Sequence, residues 1–348
     1  FTSVKRMEEE VVAGALDLLH APADAAGFMS TGGTESIVQA VQTCRDWSRA
    51  RRKDAAHRGN IVASESAHPA FNKAARLMDL EVRRVPTAPD LRAHVQGFDA
   101  AIDRDTIMIV GSAPSFPHGV IDPIAELGAL ATRKGLWLHV DACVGGYIAP
   151  FVKELGHDIP DFDLGVPGVS SLSADLHKFG FCPKPASTVF YASGEKAAFH
   201  GFEFTDWPNG RFATSTIVGT RPAGGVAAAW ATFQFLGRAG YRDIARRLMD
   251  MVARYKSGVE AVPGLKVWGK PHLSIVAFGA EDVDIFQVSE VMAKKGWVPG
   301  LVQKPRAIHR MMSLIHEPSL GEYLDDLRAA VGVVRQGGGT GSAIQAVY

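Results

Sequence analysis

Cysteine is scarce. The chain carries only Cys44, Cys143 and Cys182 in 348 residues, with no pair spaced C-x-x-C. Three cysteines cannot build a disulfide framework, so a reducing, cytoplasmic setting is expected. Long apolar runs are missing too: nothing approaches the roughly 18 uninterrupted apolar residues of a transmembrane helix. The longest candidate, Gly224 to Leu236, is broken by Thr232 and Gln234 and reads as a buried helix. Net charge is absent, 37 Lys+Arg balancing 37 Asp+Glu, which removes the electrostatic case for a nucleic-acid or anionic-membrane partner. No H-E-x-x-H pattern or cysteine pair accompanies His309, His316 and Glu317, so no metal site is expected. No fixed-period repeat and no signal peptide are visible. Phe1 is not a natural initiator, and a helical pattern begins almost at once, so a preceding segment, with any anchor it holds, is expected to lie outside the visible sequence.

What is present is ordinary globular material, 47% hydrophobic and 21% charged, long enough for about two domains. Apolar residues at Val4, Met7, Val11, Val12, Ala15, Leu18 and Leu19 predict a first helix. Gly27 to Gly33 reads as a small-residue turn, followed by a helix from Thr34 towards Arg52. Short runs at Ile61–Ala63, Glu81–Val85, Thr106–Val110, Leu136–Val140, Ser170–Ala174 and Ser187–Tyr191 read as strands, with helices at Pro69–Asp79 and Asp122–Lys134 between them. Strands buried on both faces and alternating with helices predict an α/β fold with a mostly parallel sheet sandwiched by helices. Further on, strands at Lys266–Trp268, Ser274–Phe278 and Ile308–Ile315 and helices at Val283–Lys295 and Leu320–Arg335 predict a smaller α+β unit. The expected division is a large domain over 1–255, a small domain over 256–335, and a flexible, glycine-rich tail over 336–348.

Four places along the large domain fit one cofactor. Ser173-Ala174-Asp175-Leu176-His177-Lys178-Phe179-Gly180 sets Lys178 among apolar and small residues. Desolvation there would lower the pKa of its amine and make it a nucleophile towards a carbonyl. Asp141 ends a predicted strand, at the edge where open α/β sheets bind ligands. Pyridoxal phosphate needs such a carboxylate to keep its ring nitrogen protonated and electron-withdrawing. Ser30-Thr31-Gly32-Gly33-Thr34-Glu35-Ser36 opens a helix, whose N-terminal amides suit a phosphate. It lacks the Walker lysine and the G-x-G-x-x-G spacing of nucleotide loops. His68, in Ser64-Glu65-Ser66-Ala67-His68-Pro69, offers a flat imidazole to stack on a pyridine ring. Taken singly, each has an ordinary reading: a solvated lysine, a capping carboxylate, a turn, a histidine at a helix start.

With these motifs the chain resembles the fold-type I pyridoxal-phosphate enzymes of the group II decarboxylase superfamily, and among them the sphingosine-1-phosphate lyases. The resemblance covers most of residues 4–335. It includes Pro117-His118-Gly119-Val120-Ile121-Asp122-Pro123 and His139-Val140-Asp141-Ala142-Cys143-Val144-Gly145-Gly146. The aspartate and His-Lys motifs are shared with glutamate and aromatic amino-acid decarboxylases. Cys182-Pro183-Lys184, Thr205-Asp206-Trp207 and Gly219-Thr220-Arg221-Pro222 carry the lyase signal.

The resemblance implies pyridoxal 5′-phosphate as cofactor, Lys178 as its Schiff-base lysine, Asp141 on the ring nitrogen and His68 stacked on the ring. It implies that Gly32, Gly33, Thr34 and His177 hold the phosphate and that Thr220 reaches the phosphate of the partner subunit in a homodimer. Lys184 matches a second active-site lysine, a base or a cation for the substrate phosphate, with Arg221 or His118 sharing that second task. The family also uses site tyrosines, and one region that supplies one reads Ser115-Phe116-Pro117 here. The implied reaction is retro-aldol cleavage of a phosphorylated long-chain amino alcohol to a fatty aldehyde and phosphoethanolamine. Amino-acid decarboxylation, and a catalytically idle dimeric binding protein, are the alternatives.

Overall fold

The computed structural model describes residues 1–338; the part of the expected tail from 339 to 348 lies outside them. The chain divides into two units, Phe1–Ser115 with Ile121–Tyr241, and Phe116–Val120 with the residues from Arg242 onward. The division thus falls at Tyr241, where the sequence predicts a boundary at residue 255.

The first unit is built on a seven-stranded sheet of order β1-β7-β6-β5-β4-β2-β3. Its strands are β1 (Ala26–Ser30), β2 (Asn60–Ser64), β3 (Glu81–Val85), β4 (Thr106–Ser112), β5 (Trp137–Asp141), β6 (Val169–Ala174) and β7 (Ser187–Tyr191). Neighbours from β3 to β6 run parallel, and β7 and β1 close one edge antiparallel. The all-apolar runs become central strands, each buried along its whole length, because both faces are covered by helices. Helices α1 (Thr2–Leu18), α2 (Gly33–Arg52) and α3 (Ala70–Met78) precede or follow the early strands. Ile37, Val41 and Trp47 of α2 and Phe71 of α3 join Ile61, Val110 and Trp137 in one buried core.

Three readings change. Gly27 to Gly33 is not simply a turn: Ala26–Ser30 is an edge strand, fixed residue for residue against β7, a tertiary pairing that local glycine content hides. A short hairpin of β8 (Phe202–Phe204) and β9 (Phe212–Thr214) has no sequence signal. The stretch Gly224 to Leu236 is helical but only partly buried, with Val226 and Ala229 in the core and Phe235 89% exposed; its helix (Ala223–Glu260) is interrupted at Gly237, whose φ of 52° suits glycine.

The second unit holds a four-stranded antiparallel sheet of order β10-β11-β13-β12, from Leu265–Val267, Ile275–Ala280, Arg306–Met311 and Gly300–Gln303. The strand expected to reach Ile315 stops at Met311, and a 3-10 turn over Leu314–Ser319 leads into the helix Leu320–Arg335. Among the described residues no helix is long and apolar enough to cross a membrane.

Candidate active site

Parallel strands bring their carboxyl ends to one edge of a sheet, and three such ends supply the site. Asp141 is the last residue of β5, His68 lies in the loop after β2, and Asp175, His177 and Lys178 follow β6. Ser173 of β6 is the ladder partner of Asp141.

Lys178 Nζ stands 2.9 Å from Asp175 Oδ2. Asp175 is 2% exposed, and its Oδ1 is buried with no hydrogen-bond partner. Burial works against the charge on Lys178, but the nearby Cys143, Asp175 and Asp141 outweigh it and hold the amine above its ordinary range. The expectation of a pKa lowered by desolvation is therefore corrected: the small-residue setting conceals a carboxylate three positions before the lysine. Asp175 is the functional group that sequence reasoning passed over, although an i, i+3 carboxylate is a recognisable partner for a lysine.

Asp141 is 8% exposed, and its Oδ1 accepts the Cys143 backbone N–H at 3.1 Å. His68 is half-buried, and its Nδ1 accepts the Ala70 N–H at 3.1 Å, so a neutral ring carries its proton on Nε2. Burial lowers its pKa, and the charges of Asp141, Lys178 and Asp175 all act on it, which puts the four groups in one neighbourhood. Arg84 fixes the loop that carries His68, donating to the carbonyls of Ser64 at 2.8 Å, Ala67 at 2.7 Å and His68 at 3.4 Å.

The phosphate end is drawn just as closely. Helix α2 begins at Gly33, and its first internal bond runs from Ser36 N to Gly32 O, so the amides of Gly33, Thr34 and Glu35 precede the helical ladder. A β-carbon on Gly33 would meet Asp175 and Cys143 at 2.8 Å, and one on Gly32 would lie 3.4 Å from His177 Cε1. His177 Nδ1 accepts the Ala186 N–H at 3.2 Å, leaving Nε2 to donate. Burial lowers the pKa of His177 despite Asp175 nearby. A lysine, a buried carboxylate at the sheet edge, a flat imidazole and a helix N-terminus with no room for a side chain at Gly33 fit a phosphorylated pyridine aldehyde.

The remaining expected residues lie further out. Thr34 and Thr220 are exposed, as is Lys184, whose charge acts on His177. Arg221 is not available to a substrate phosphate: it is bidentate to Glu8, at 2.7 and 2.8 Å, and also donates to the Met29 carbonyl. His118 is 3% exposed in the second unit, with Nε2 on the Lys304 carbonyl at 2.9 Å.

Residues 3–281 match the family model of the pyridoxal-dependent decarboxylase conserved domain. The sphingosine-1-phosphate lyase of Oryza sativa subsp. japonica is 43% identical over 340 residues, covering 96% of this chain and 63% of the rice protein. The chain thus spans less than two thirds of that relative. The solved sphingosine-1-phosphate lyase of Burkholderia pseudomallei superposes with a TM-score of 0.93 at 37% identity, over 97% of this chain and 79% of that one. A glutamate decarboxylase of Lactobacillus brevis superposes with a TM-score of 0.84 at 22% identity, over 97% of this chain and 81% of that one, a likeness of fold.

Proposed function

Because the chain belongs to the pyridoxal-dependent decarboxylase family, whose cofactor is pyridoxal 5′-phosphate, we propose that it is a carbon–carbon lyase acting on phosphorylated long-chain amino alcohols. The observation that carries this reading is the contrast in likeness: 43% identity to a sphingosine-1-phosphate lyase over nearly the whole chain, against 22% to a decarboxylase of the same fold. The expected products are a fatty aldehyde and phosphoethanolamine.

When bound, the cofactor supplies an aldehyde for the substrate amine and an electron sink for the pair left on C2 when the C2–C3 bond breaks. The chain's own residues do the rest. Lys178 anchors the cofactor, and Asp175 stands ready to hold the proton its amine must lose. Asp141, whose Oδ1 accepts the Cys143 amide, would hold a proton on the ring nitrogen. His68, neutral and in a loop fixed by Arg84, would stack on the ring and exclude water. The amides of Gly33 and Thr34, with His177 Nε2, bind the phosphate, and Gly32 leaves them room. Lys184, exposed beside this cluster, is the base for the C3 hydroxyl or the cation for the substrate phosphate.

The working form is a homodimer in the cytoplasm. Thr220, exposed in a single chain, would reach the partner's cofactor phosphate, and the exposed Phe202, Phe204, Phe212 and Phe235 support an interface. Purified protein supplied with the cofactor and a sphingoid-base phosphate should release aldehyde without carbon dioxide. Carbon dioxide from glutamate or tyrosine would instead make it a decarboxylase, and a protein that takes up no cofactor would be an idle binding fold.

A further inference from the structure

The span from Ser215 to Arg221 carries Thr220, yet it is neither helix nor strand, and Ile217 and Val218 are 57% and 41% exposed. Its shape must come from the side chains that grip it. At its start the Ser215 carbonyl accepts Gln39 Nε2 and His200 Nε2, each at 2.7 Å, and so uses both of its lone pairs. Because that carbonyl can only accept, the His200 proton sits on Nε2, and Nδ1 takes the Tyr191 hydroxyl at 2.8 Å. Phe28 stacks on the same imidazole, with ring centroids 3.9 Å apart. At the far end Arg221 grips Glu8 and the Met29 carbonyl.

Between these ends Glu35 makes a different kind of link. Its Oε1 accepts the Ile217 N–H at 3.0 Å, while its Oε2 accepts the Thr31 N–H at 2.7 Å and also the Thr31 hydroxyl. One carboxylate thus joins the span to the turn that opens α2. Three donors converge on it, and a carboxylate, with two oxygens and no proton, satisfies them all. A glutamine has one oxygen, and its amide would aim a donor at a donor. As an acid in the first turn of a helix, Glu35 would be favoured by the helix dipole alone. The dipole does not explain the bond to Ile217, 182 positions away. Nor does it explain an acid two residues after Gly33, where its charge repels any phosphate bound at the turn.

We propose that Glu35 is a positioning residue that locks the span Ser215–Arg221 to the turn Thr31–Glu35, so that the phosphate turn of a chain and its exposed Thr220 move as one body. The proposal rests on the cofactor reading above, which gives this turn a phosphate, but its first test does not. Hydrogen exchange of the cofactor-free protein, resolved to single amides by mass spectrometry, reads the Ile217 N–H directly. In Glu35→Gln the two donors of Thr31 take the single oxygen and Ile217 is released. Its exchange should be about tenfold or more faster than in the wild type, the loss of one hydrogen bond to a charged group.

In the second test, pyridoxal 5′-phosphate should slow Ile217 exchange in the wild type by about fivefold or more, within the ordinary range of coupling between sites. Glu35→Gln should show no such response. By reciprocity it should also bind the cofactor more weakly, by about the same factor. A bare charge predicts the opposite sign, since its removal would relieve the phosphate. Unchanged Ile217 exchange in Glu35→Gln, an equal response of both proteins to the cofactor, or cofactor binding by Glu35→Gln that is unchanged or tighter would each overturn the lock. Wild-type protein that binds no cofactor would defeat the cofactor reading instead, and exchange in the cofactor-free protein would then decide the lock by itself.

Discussion

Gly33 and Asp175 touch without room for a methyl group between them: a β-carbon on Gly33 would lie 2.8 Å from Asp175 Oδ2, with Cys143 Sγ equally near. Neither neighbour can give way cheaply, since both are buried and Asp175 is held by Lys178. Gly33→Ala should therefore weaken pyridoxal 5′-phosphate binding by about tenfold or more, the scale of an overpacked site. Gly32→Ala should cost much less, because its β-carbon would meet His177 at an ordinary 3.4 Å and the backbone there is extended, with φ of 172°. Titration of both variants with the cofactor, followed by its absorbance, checks the order; equal losses would mean that the glycines serve the turn and not the contact.

Much of this arrangement is legible in the residues. Ile107, Met108, Ile109 and Val110 declare a strand buried on both sides, and Trp137 to Val140 another, because parallel strands under helices need no alternation. The cluster at the carboxyl edge follows once Asp141 is placed at the end of β5 and His68 and Lys178 after β2 and β6. What stays hidden depends on partners distant in sequence. Arg221 looks free for a phosphate until Glu8, 213 positions away, closes on it. Arg84 shows no signal at all, since its partners are the Asn72 side chain, twelve positions away, and backbone carbonyls, which every residue has. Asp175 sits inside the quoted motif, yet a sequence does not say which carboxylates are buried.

Asp175→Asn should change how Lys178 takes up the cofactor. The amine attacks an aldehyde only when neutral, and Asp175 is one of the charges that keep it protonated. Removing that charge should move the midpoint of the pH dependence of cofactor incorporation down by roughly one to three units, the usual effect of a close opposite charge. The rate at neutral pH should then rise, even if turnover falls. Stopped-flow absorbance from pH 6 to pH 10 reads the limb below the midpoint, where the variant should be faster at every pH; an unmoved profile would assign the Asp175 ion pair to packing alone.

Arg84→Met keeps most of the side-chain volume and removes every bond to the loop carrying His68. With those carbonyls released, the His68 imidazole loses its fixed pose, and small misplacements in such sites cost as much as about a hundredfold in rate. The expected result is kcat lowered by about 10- to 100-fold with folding retained, since Arg84 lies at an edge strand. Circular dichroism beside steady-state kinetics tests this. Full activity would show that β2 and α3 hold the loop without help.

Acid should unfold the protein earlier than its balanced charge suggests. His139, His200 and His309 are each pushed down to about 4 by burial, below the ordinary histidine range near 6.5. In the folded state they stay neutral where the unfolded chain would bind protons, so their contribution is complete above about pH 6.5 and is lost as pH falls towards 4. Each removes about 1.4 kcal/mol of stability per pH unit across that window. Asp122 acts the other way: burial pushes it up to about 6, so it binds a proton first in the folded state and offsets one of the three histidines between about pH 6 and 4. Urea midpoints should accordingly fall steadily from pH 7 to pH 5. His139→Gln, which cannot titrate, should flatten the curve by one histidine's share, and a wild-type midpoint that stays level over this range would mean that these rings take up protons without unfolding the sheet around them.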